Sequence, residues 1–314
     1  MKKISIIVPC YNEQTAIPLF YKAVQQVYQT QIQPLWPQYQ LEYWFIDDGA
    51  TDETLVTLQQ LVCQDSDHVH YVSFSRNFGK EAALYAGLQH ATGDLVVVMD
   101  VDLQDPPALL PQMMSGVLTE QYDVIGVKRL DRQDEPVICS LCSRLFYWFI
   151  NQISMTKIEQ GARDYRMMTR QVVDAVLDMP EYNRFSKGLF SWIGFRTKYL
   201  SYENQERVAS TTHWSFWNLV NYSIDGVIDF SDKPLAMASF LGIISFIIAI
   251  GALIFIVGRA WLFGDPTGGW PSLVAITLML GGLQLFCLGI VGKYISKSYL
   301  ESKRRPIYIS KDER

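Results

Sequence analysis

Apolar and polar positions follow two regimes along the first hundred residues. Short apolar runs at 4–9, 41–46, 69–74 and 95–99 each stop at a polar cluster. Between them apolar residues recur every three or four positions, as at Ile17, Phe20, Val24, Val27 and Tyr28, the spacing of one helix face. The pattern predicts strands over the four runs. It predicts helices over 17–29, over 81–91, and to about 62 from Thr51 or Asp52, either of which can cap it. Pro106-Pro107 forces a turn, and a helix to about 119 and a strand over 122–127 follow. Strands alternating with helices predict an α/β fold, a largely parallel sheet with helices on both faces.

The pattern then changes. Ile138, Leu141, Leu145, Phe146, Phe149, Ile150 and Ile153 fall at helical spacing with Tyr147 and Trp148 alongside. This fits an interfacial helix over 137–153, with a core helix as the alternative. A second stripe, Phe216, Trp217, Val220, Ile224, Val227 and Ile228, predicts another over 213–230. From 235 to 258 and from 266 to 292 there is no charged residue; each run exceeds the ~20 residues needed to cross a bilayer. The layout predicts an α/β domain over 1–230, a transmembrane hairpin over 234–296, and a basic tail over 297–314. Lys293, Lys297, Lys303, Arg304 and Arg305 follow the second run, while the turn at 263–271 holds only Asp265. The positive-inside rule places the tail, and with it the N-terminal domain, in the cytoplasm, on the inner (plasma) membrane. The N-terminal run is too short for a signal peptide. Gly281-Gly282 and Gly289-x-x-Gly292 allow close helix packing, within the hairpin or between subunits.

A net charge of −5 over 314 residues argues against a nucleic-acid partner. Cys139 and Cys142 form a lone C-x-x-C, and Cys10, Cys63 and Cys287 are scattered; all five read as packing cysteines.

In open α/β sheets ligands bind at the carboxyl ends of the strands. Here those ends carry Asn12/Glu13, Asp47/Asp48, Arg76/Asn77/Lys80 and Asp100/Asp102. Alone, the stretch 96–107, an apolar run ending in Asp100, Asp102 and Asp105, reads equally as a solvated strand end or as hard oxygen ligands for Mg²⁺ or Mn²⁺. Four polar ends on one rim favour the second. No G-x-G-x-x-G follows the first strand and no G-x-x-x-x-G-K-[ST] occurs, which disfavours a dinucleotide oxidoreductase and a P-loop NTPase. Lys128-Arg129-Leu130-Asp131-Arg132 is either a solvated loop or a set of cations beside a phosphate-handling rim.

Five segments carry a family resemblance: Ile7-Val-Pro-Cys-Tyr-Asn-Glu13, Asp47-Asp-Gly-x-Thr-Asp52, Ser75-Arg-Asn-Phe-Gly-Lys-Glu81, Ala91-Thr-Gly-Asp94 and Asp100-x-Asp-Leu-Gln-Asp-Pro-Pro107. Together they resemble glycosyltransferase family 2, and more narrowly its polyprenyl-phosphate glycosyltransferases, over essentially the whole chain. Ala50 departs from the usual Ser.

The resemblance implies a GT-A type, Rossmann-like catalytic domain. It implies inverting transfer from a nucleoside diphosphate sugar, a glucose-like UDP-sugar, to a membrane polyprenyl phosphate such as undecaprenyl phosphate, with Mg²⁺ or Mn²⁺. The metal would sit at Asp102, assisted by Asp100 and Gln104. Pro9, Tyr11, Asn12, Glu13 and Asp48 would hold the nucleoside, with Asn77 and Lys80 completing the nucleotide site. Asp164 and Arg166 match the segment near the acceptor phosphate, Lys187 would contact phosphate, and Arg207 would clamp the diphosphate. Ser210 and Thr212 are departures around Arg207. A homo-oligomer is also implied. A processive polysaccharide synthase is disfavoured by the two spans and by Arg184-Phe185 where Arg-Trp is expected. A non-catalytic sugar-nucleotide-binding subunit is disfavoured by the intact Asp-x-Asp and Asp164.

Overall fold

In the computed structural model, residues 1–129, 159, 161–202, 228, 231, 233–263 and 269–314 are described. The predicted helix over 137–153, all but residue 228 of that over 213–230, the C-x-x-C, Leu130 to Arg132, Arg207 and most of the turn at 263–271 lie outside them.

The first four apolar runs form strands β1 (Lys2–Cys10), β2 (Tyr39–Asp47), β3 (Val69–Phe74) and β4 (Leu95–Val98). They pair in parallel, β1 between β2 and β4, with β3 outside β2. Helices α1 (Ala16–Val27), α2 (Thr54–Gln64) and α3 (Lys80–His90) connect them, and α4 (Leu110–Leu118) follows. The strands read as unbroken apolar runs because both faces are covered. Ile4, Ile6, Val8, Val97 and Met99 pack with α1, α2 and α4 on one side. Ile7, Val96 and Val98 pack with α3 on the other. Gly87 lets α3 lie close to the sheet, since a Cβ there would meet Ile7 Cγ2 at 2.2 Å.

The rest of the sheet departs from the parallel plan. β5 (Val124–Arg129) is followed by β6 (Ala162–Thr169), then α5 (Arg170–Leu177), α6 (Ser186–Trp192) and β7 (Thr197–Tyr202). β6 runs antiparallel between β4 and β5, with Val98 opposite Arg166, and β7 pairs in parallel with β5. The amino end of β6 therefore reaches the rim where β4 ends.

Helices α7 (Lys233–Phe263) and α8 (Trp270–Ser302) follow. Lys233–Ala252 and Met279–Ser302 are long and apolar enough to cross a membrane. The segment expected as a basic tail over 297–314 carries regular structure. α8 continues to Ser302, and Ser310–Glu313 forms β8, antiparallel at the edge beside β3. The sheet has eight strands in the order β7-β5-β6-β4-β1-β2-β3-β8. Tyr71 and Arg314 exchange backbone hydrogen bonds at 2.9 and 3.0 Å, and Tyr308 stacks on Phe74 with centroids 4.8 Å apart. The charged β8 also closes an edge that would otherwise invite pairing with another chain.

Candidate active site

The rim is shaped first by side chains that tie its loops together. Asn12, in the left-handed region at φ 57°, accepts the Thr51 amide through Oδ1 at 2.8 Å. This joins the turns after β1 and β2. Glu13 donates its amide to Thr54 Oγ1 at 2.8 Å. Asp47 accepts from the Ala50 amide at 2.9 Å and from Ser73 Oγ at 2.7 Å. Asp48 accepts from the amides of Phe78 at 2.6 Å and Gly79 at 2.9 Å. Burial raises its pKa, and these amide bonds pull the other way. Gly49, at φ 65°, passes so close to the next loop that a Cβ would lie 2.4 Å from the Arg76 carbonyl carbon. Asp48 and Asn12, expected at a nucleoside, here tie the loops of the rim together. Pro9 is half-buried within β1, whereas Tyr11 and Asn77 are exposed.

The centre of the site is Lys80, the first residue of α3. Its ammonium lies 2.7 Å from Asp100 Oδ1 and 2.7 Å from Asp164 Oδ2. Asp100 lies two residues beyond the end of β4 and Asp164 near the start of β6, so the antiparallel pairing brings together carboxylates far apart in sequence. Burial works against the Lys80 charge, but Asp100 and Asp164 outweigh it and raise its pKa well above the usual lysine value. Burial likewise disfavours the Asp164 charge, yet Lys80, Lys187 and Arg166 hold its carboxyl well below the usual range. Arg166 is buried, its guanidinium 4.1 Å from the Phe190 ring centroid. It donates to the carbonyls of Asp164 at 3.3 Å and Arg163 at 3.2 Å, which fixes the backbone that presents Asp164.

Lys187 rides on α6, whose first turn is held by a residue absent from the expected set. Glu81 Oε2 accepts from the Ser186 amide at 3.1 Å and from Ser186 Oγ. A carboxylate is favourable at a helix N-terminus. Lys80 and Glu81, adjacent in sequence, therefore set Asp164 and Lys187 against each other.

The loop after β4 is braced by Arg163. Gln104 donates its amide to Asp102 Oδ1 at 3.2 Å. The side-chain oxygen of Gln104, the group expected to assist a metal, accepts from Arg163 Nη2 at 2.9 Å. Asp105, 1% exposed, accepts from Arg163 Nε at 3.3 Å and from Tyr202 Oη. Arg163, Asp105, Tyr202 and Glu81 are thus site-building residues beyond those expected. Asp105 and Glu81 stand inside the motifs already singled out, and Arg163 adjoins Asp164.

Among the described residues, no three His, Cys, Asp or Glu side chains converge closely enough to hold a metal on their own. Asp100 and Asp102 offer hard carboxylate oxygens at a reachable rim, with Asp100 30% exposed. That donor set suits a hard divalent cation whose other ligands come from phosphate or water.

The chain is 41% identical to a putative glycosyltransferase, CsbB, of Bacillus subtilis over 98% of this chain and 91% of that one. It is 40% identical to a bactoprenol glucosyl transferase of Shigella phage SfV over 99% of both. A solved glucosyl-3-phosphoglycerate synthase from Mycobacterium tuberculosis, in complex with Mn²⁺ and UDP-glucose, aligns with a TM-score of 0.44 at 16% identity, over 72% of this chain and 77% of that chain. Residues 5–177 match the family model described as glycosyl transferase family 2, and the chain belongs to that family.

Proposed function

We propose that this glycosyltransferase is a membrane enzyme that moves a sugar from a nucleoside diphosphate sugar to a polyprenyl phosphate. The observation that carries the proposal is the meeting of Asp100, from the Asp-x-Asp segment, with Asp164, from the Arg-Asp-Tyr-Arg segment, on the single ammonium of Lys80. A donor-side motif and an acceptor-side motif converge on one point. The near-full-length likeness to a bactoprenol glucosyl transferase supports the acceptor class, and UDP-glucose is the donor we favour.

On this reading the GT-A domain holds the donor along the ends of β1 to β4, with Tyr11 exposed toward the nucleoside. Asp102 and Asp100 would hold Mg²⁺ or Mn²⁺, which when bound supplies positive charge to the diphosphate leaving group. Lys80, Lys187 and Arg166 supply the remaining positive potential for two anionic reactants. The acceptor phosphate has a second pKa of about 6, so near neutral pH it is already a nucleophile. Asp164, held ionised by its three cations, is a weak base, and its task is to aim Lys80 and Lys187 at the incoming phosphate. An acceptor oxygen attacks C1 from the face opposite the diphosphate. A C1–O bond to the lipid phosphate forms as the bond to the diphosphate breaks, and the anomeric centre inverts.

We also infer that α7 and α8 cross the membrane as a hairpin. β8 supports this topology: it pairs with β3 and so must return to the compartment of the α/β domain, as an even number of crossings requires.

The test is transfer of label from a panel of nucleotide sugars into organic-extractable lipid, with undecaprenyl and dolichyl phosphates as acceptors. Wild type transfers from at least one donor, and Asp102→Asn abolishes transfer while the protein stays folded and membrane-bound. Donor binding without transfer to any acceptor would replace the enzyme by a binding subunit, and wild-type rates in Asp102→Asn would remove the metal from that residue.

A further inference from the structure

We propose that Glu301, near the end of α8, is a positioning residue that sets the height of the acceptor-phosphate subsite above the membrane. This deepens the acceptor reading above and rests on it. The donor arrives from water, but the acceptor phosphate is tethered to the bilayer by its lipid chain. Transfer therefore needs a fixed distance between the bilayer and the cations at Lys80 and Lys187.

α8 provides that distance. Within α8 the charge-free stretch from Trp270 to Gly292 already exceeds the ~20 residues a bilayer needs, so the helix leaves the membrane at Lys293, its first charge, and the rest of Met279–Ser302 lies beyond it. The helix runs unbroken to Ser302. Lys293 to Glu301 is eight residues, about 12 Å of rigid helix at 1.5 Å per residue.

The far end of this strut grips the segment that carries Lys187. Glu301 Oε1 accepts from the Asn183 amide at 2.9 Å and from Asn183 Nδ2 at 3.3 Å, and Oε2 accepts from the Tyr182 amide at 3.1 Å. Asn183 Nδ2 also reaches the Lys297 carbonyl at 3.4 Å. A carboxylate forked across two successive backbone amides is a directional, charge-assisted clamp. The next residues are fastened at the opposite end. The Arg184 guanidinium lies 4.5 Å from the Tyr85 ring centroid, and Ser186 is held by Glu81. Residues 182–187 are thus strung between the membrane helix and α3, which begins with Lys80.

Helix stability does not call for Glu301. An acid in the last turn opposes the helix dipole, so its place is explained by the amides it holds. The residue is also exposed, and exposed positions away from a core cost the fold little when changed.

The experiment uses the full-length protein with two acceptors. One is undecaprenyl phosphate in phosphatidylethanolamine–phosphatidylglycerol vesicles; the other is a water-soluble short-chain prenyl phosphate at saturation. Glu301→Ala is expected to lose transfer to the vesicle acceptor on the order of tenfold to a hundredfold, as misplacement of a reacting group does. It should keep its KM for the donor and stay within about twofold of wild type on the soluble acceptor, since placement there no longer depends on the strut. Glu301→Gln, which keeps one oxygen acceptor, falls between. Equal losses on both acceptors, or no loss in vesicles, overturn the proposal. If wild type itself fails with every prenyl phosphate, the acceptor reading falls first and this inference with it.

Discussion

Glu42 sits far from the proposed chemistry, near the amino ends of the strands, and permits a quantitative test of what holds the sheet together. Its side chain is 5% exposed. Oε2 accepts from Ser5 Oγ at 2.5 Å and the Thr92 amide at 3.1 Å; Oε1 accepts from Thr92 Oγ1 at 2.8 Å and Lys3 Nζ at 3.1 Å. Ser5 Oγ in turn accepts the Gly93 amide at 2.8 Å, so the carboxylate organises the turn that feeds β4. Burial alone would raise its pKa, but hydrogen bonds from Ser5, Thr92 and Lys3 bring it down from 4.5 to about 2. A carboxyl depressed on folding adds stability that is complete above its unfolded pKa and is lost as pH falls through the folded one. At 1.36 kcal/mol per pH unit this is about 3 kcal/mol at pH 7, of which about 1 kcal/mol remains at pH 3. Glu42→Gln should therefore destabilise the protein by about 3 kcal/mol at pH 7, and the gap from wild type should shrink to about 1 kcal/mol at pH 3. Lys3→Met should cost under about 1 kcal/mol, because the ammonium is half exposed. Denaturant unfolding of the full-length protein in detergent, followed by tryptophan emission at both pH values, measures the difference. A gap below about 1 kcal/mol at pH 7, or one that does not change with pH, refutes the assignment.

Three further outcomes follow from the site and the edge strand. Asp164→Asn should lower turnover about a hundredfold while donor binding, measured by nucleotide titration, stays near wild type; lost donor binding would move Asp164 out of the acceptor side. Because Asp164 is held ionised well below the usual carboxylate range, the acid limb of wild-type transfer should follow the phosphate, with an apparent pKa of about 6. A limb near the ordinary carboxylate range would contradict this. Deleting 303–314 should bare the β3 edge and remove the Tyr308–Phe74 stack, giving self-association on size-exclusion chromatography and faster proteolysis of β3; an unchanged monodisperse profile would show that β8 is dispensable.

The first half of the fold is legible because β1 to β4 are buried on both faces and announce themselves as apolar runs; β3 at 69–74 coincides with its prediction. The second helix is predicted with Thr51 or Asp52 as cap. It starts at Thr54 with Glu53, not Thr51 or Asp52, at the N-cap position, while Asp52 Oδ1 accepts the Thr54 amide at 3.0 Å from one residue further back. β6 and β8 are hidden for different reasons. β6 opens with Ala162-Arg163-Asp164-Tyr165-Arg166, where site charges interrupt the alternation that a half-buried strand would show. β8 reads Ser-Lys-Asp-Glu and contributes no apolar side chain, so its pairing rests on backbone groups that leave no pattern in composition. The basic tail is read from Lys297, Lys303, Arg304 and Arg305 upstream of it, and nothing in Ser-Lys-Asp-Glu marks a strand until the unpaired edge of β3 is known.

The same limit governs the acids of the rim. Asp47, Asp48, Asp100, Asp102, Asp105 and Asp164 are alike as letters, and every one stands at or near a strand end. Burial divides them. Asp47, Asp48 and Asp105 are 2%, 5% and 1% exposed, whereas the Asp100 and Asp164 side chains are 30% and 22% exposed. A buried carboxylate must be met by donors or it destabilises the fold. Backbone amides meet Asp48, an amide and a hydroxyl meet Asp47, and Arg163 and Tyr202 meet Asp105. None of these can change partner without breaking a turn or uncovering a buried charge. Asp100 and Asp164 are held by the ammonium of Lys80, on a flexible stem that can follow a phosphate or yield to another cation. Of these five, Asp100 and Asp164 are therefore the ones able to exchange a partner without breaking a turn, and the antiparallel β6 is what brings Asp164 beside Asp100.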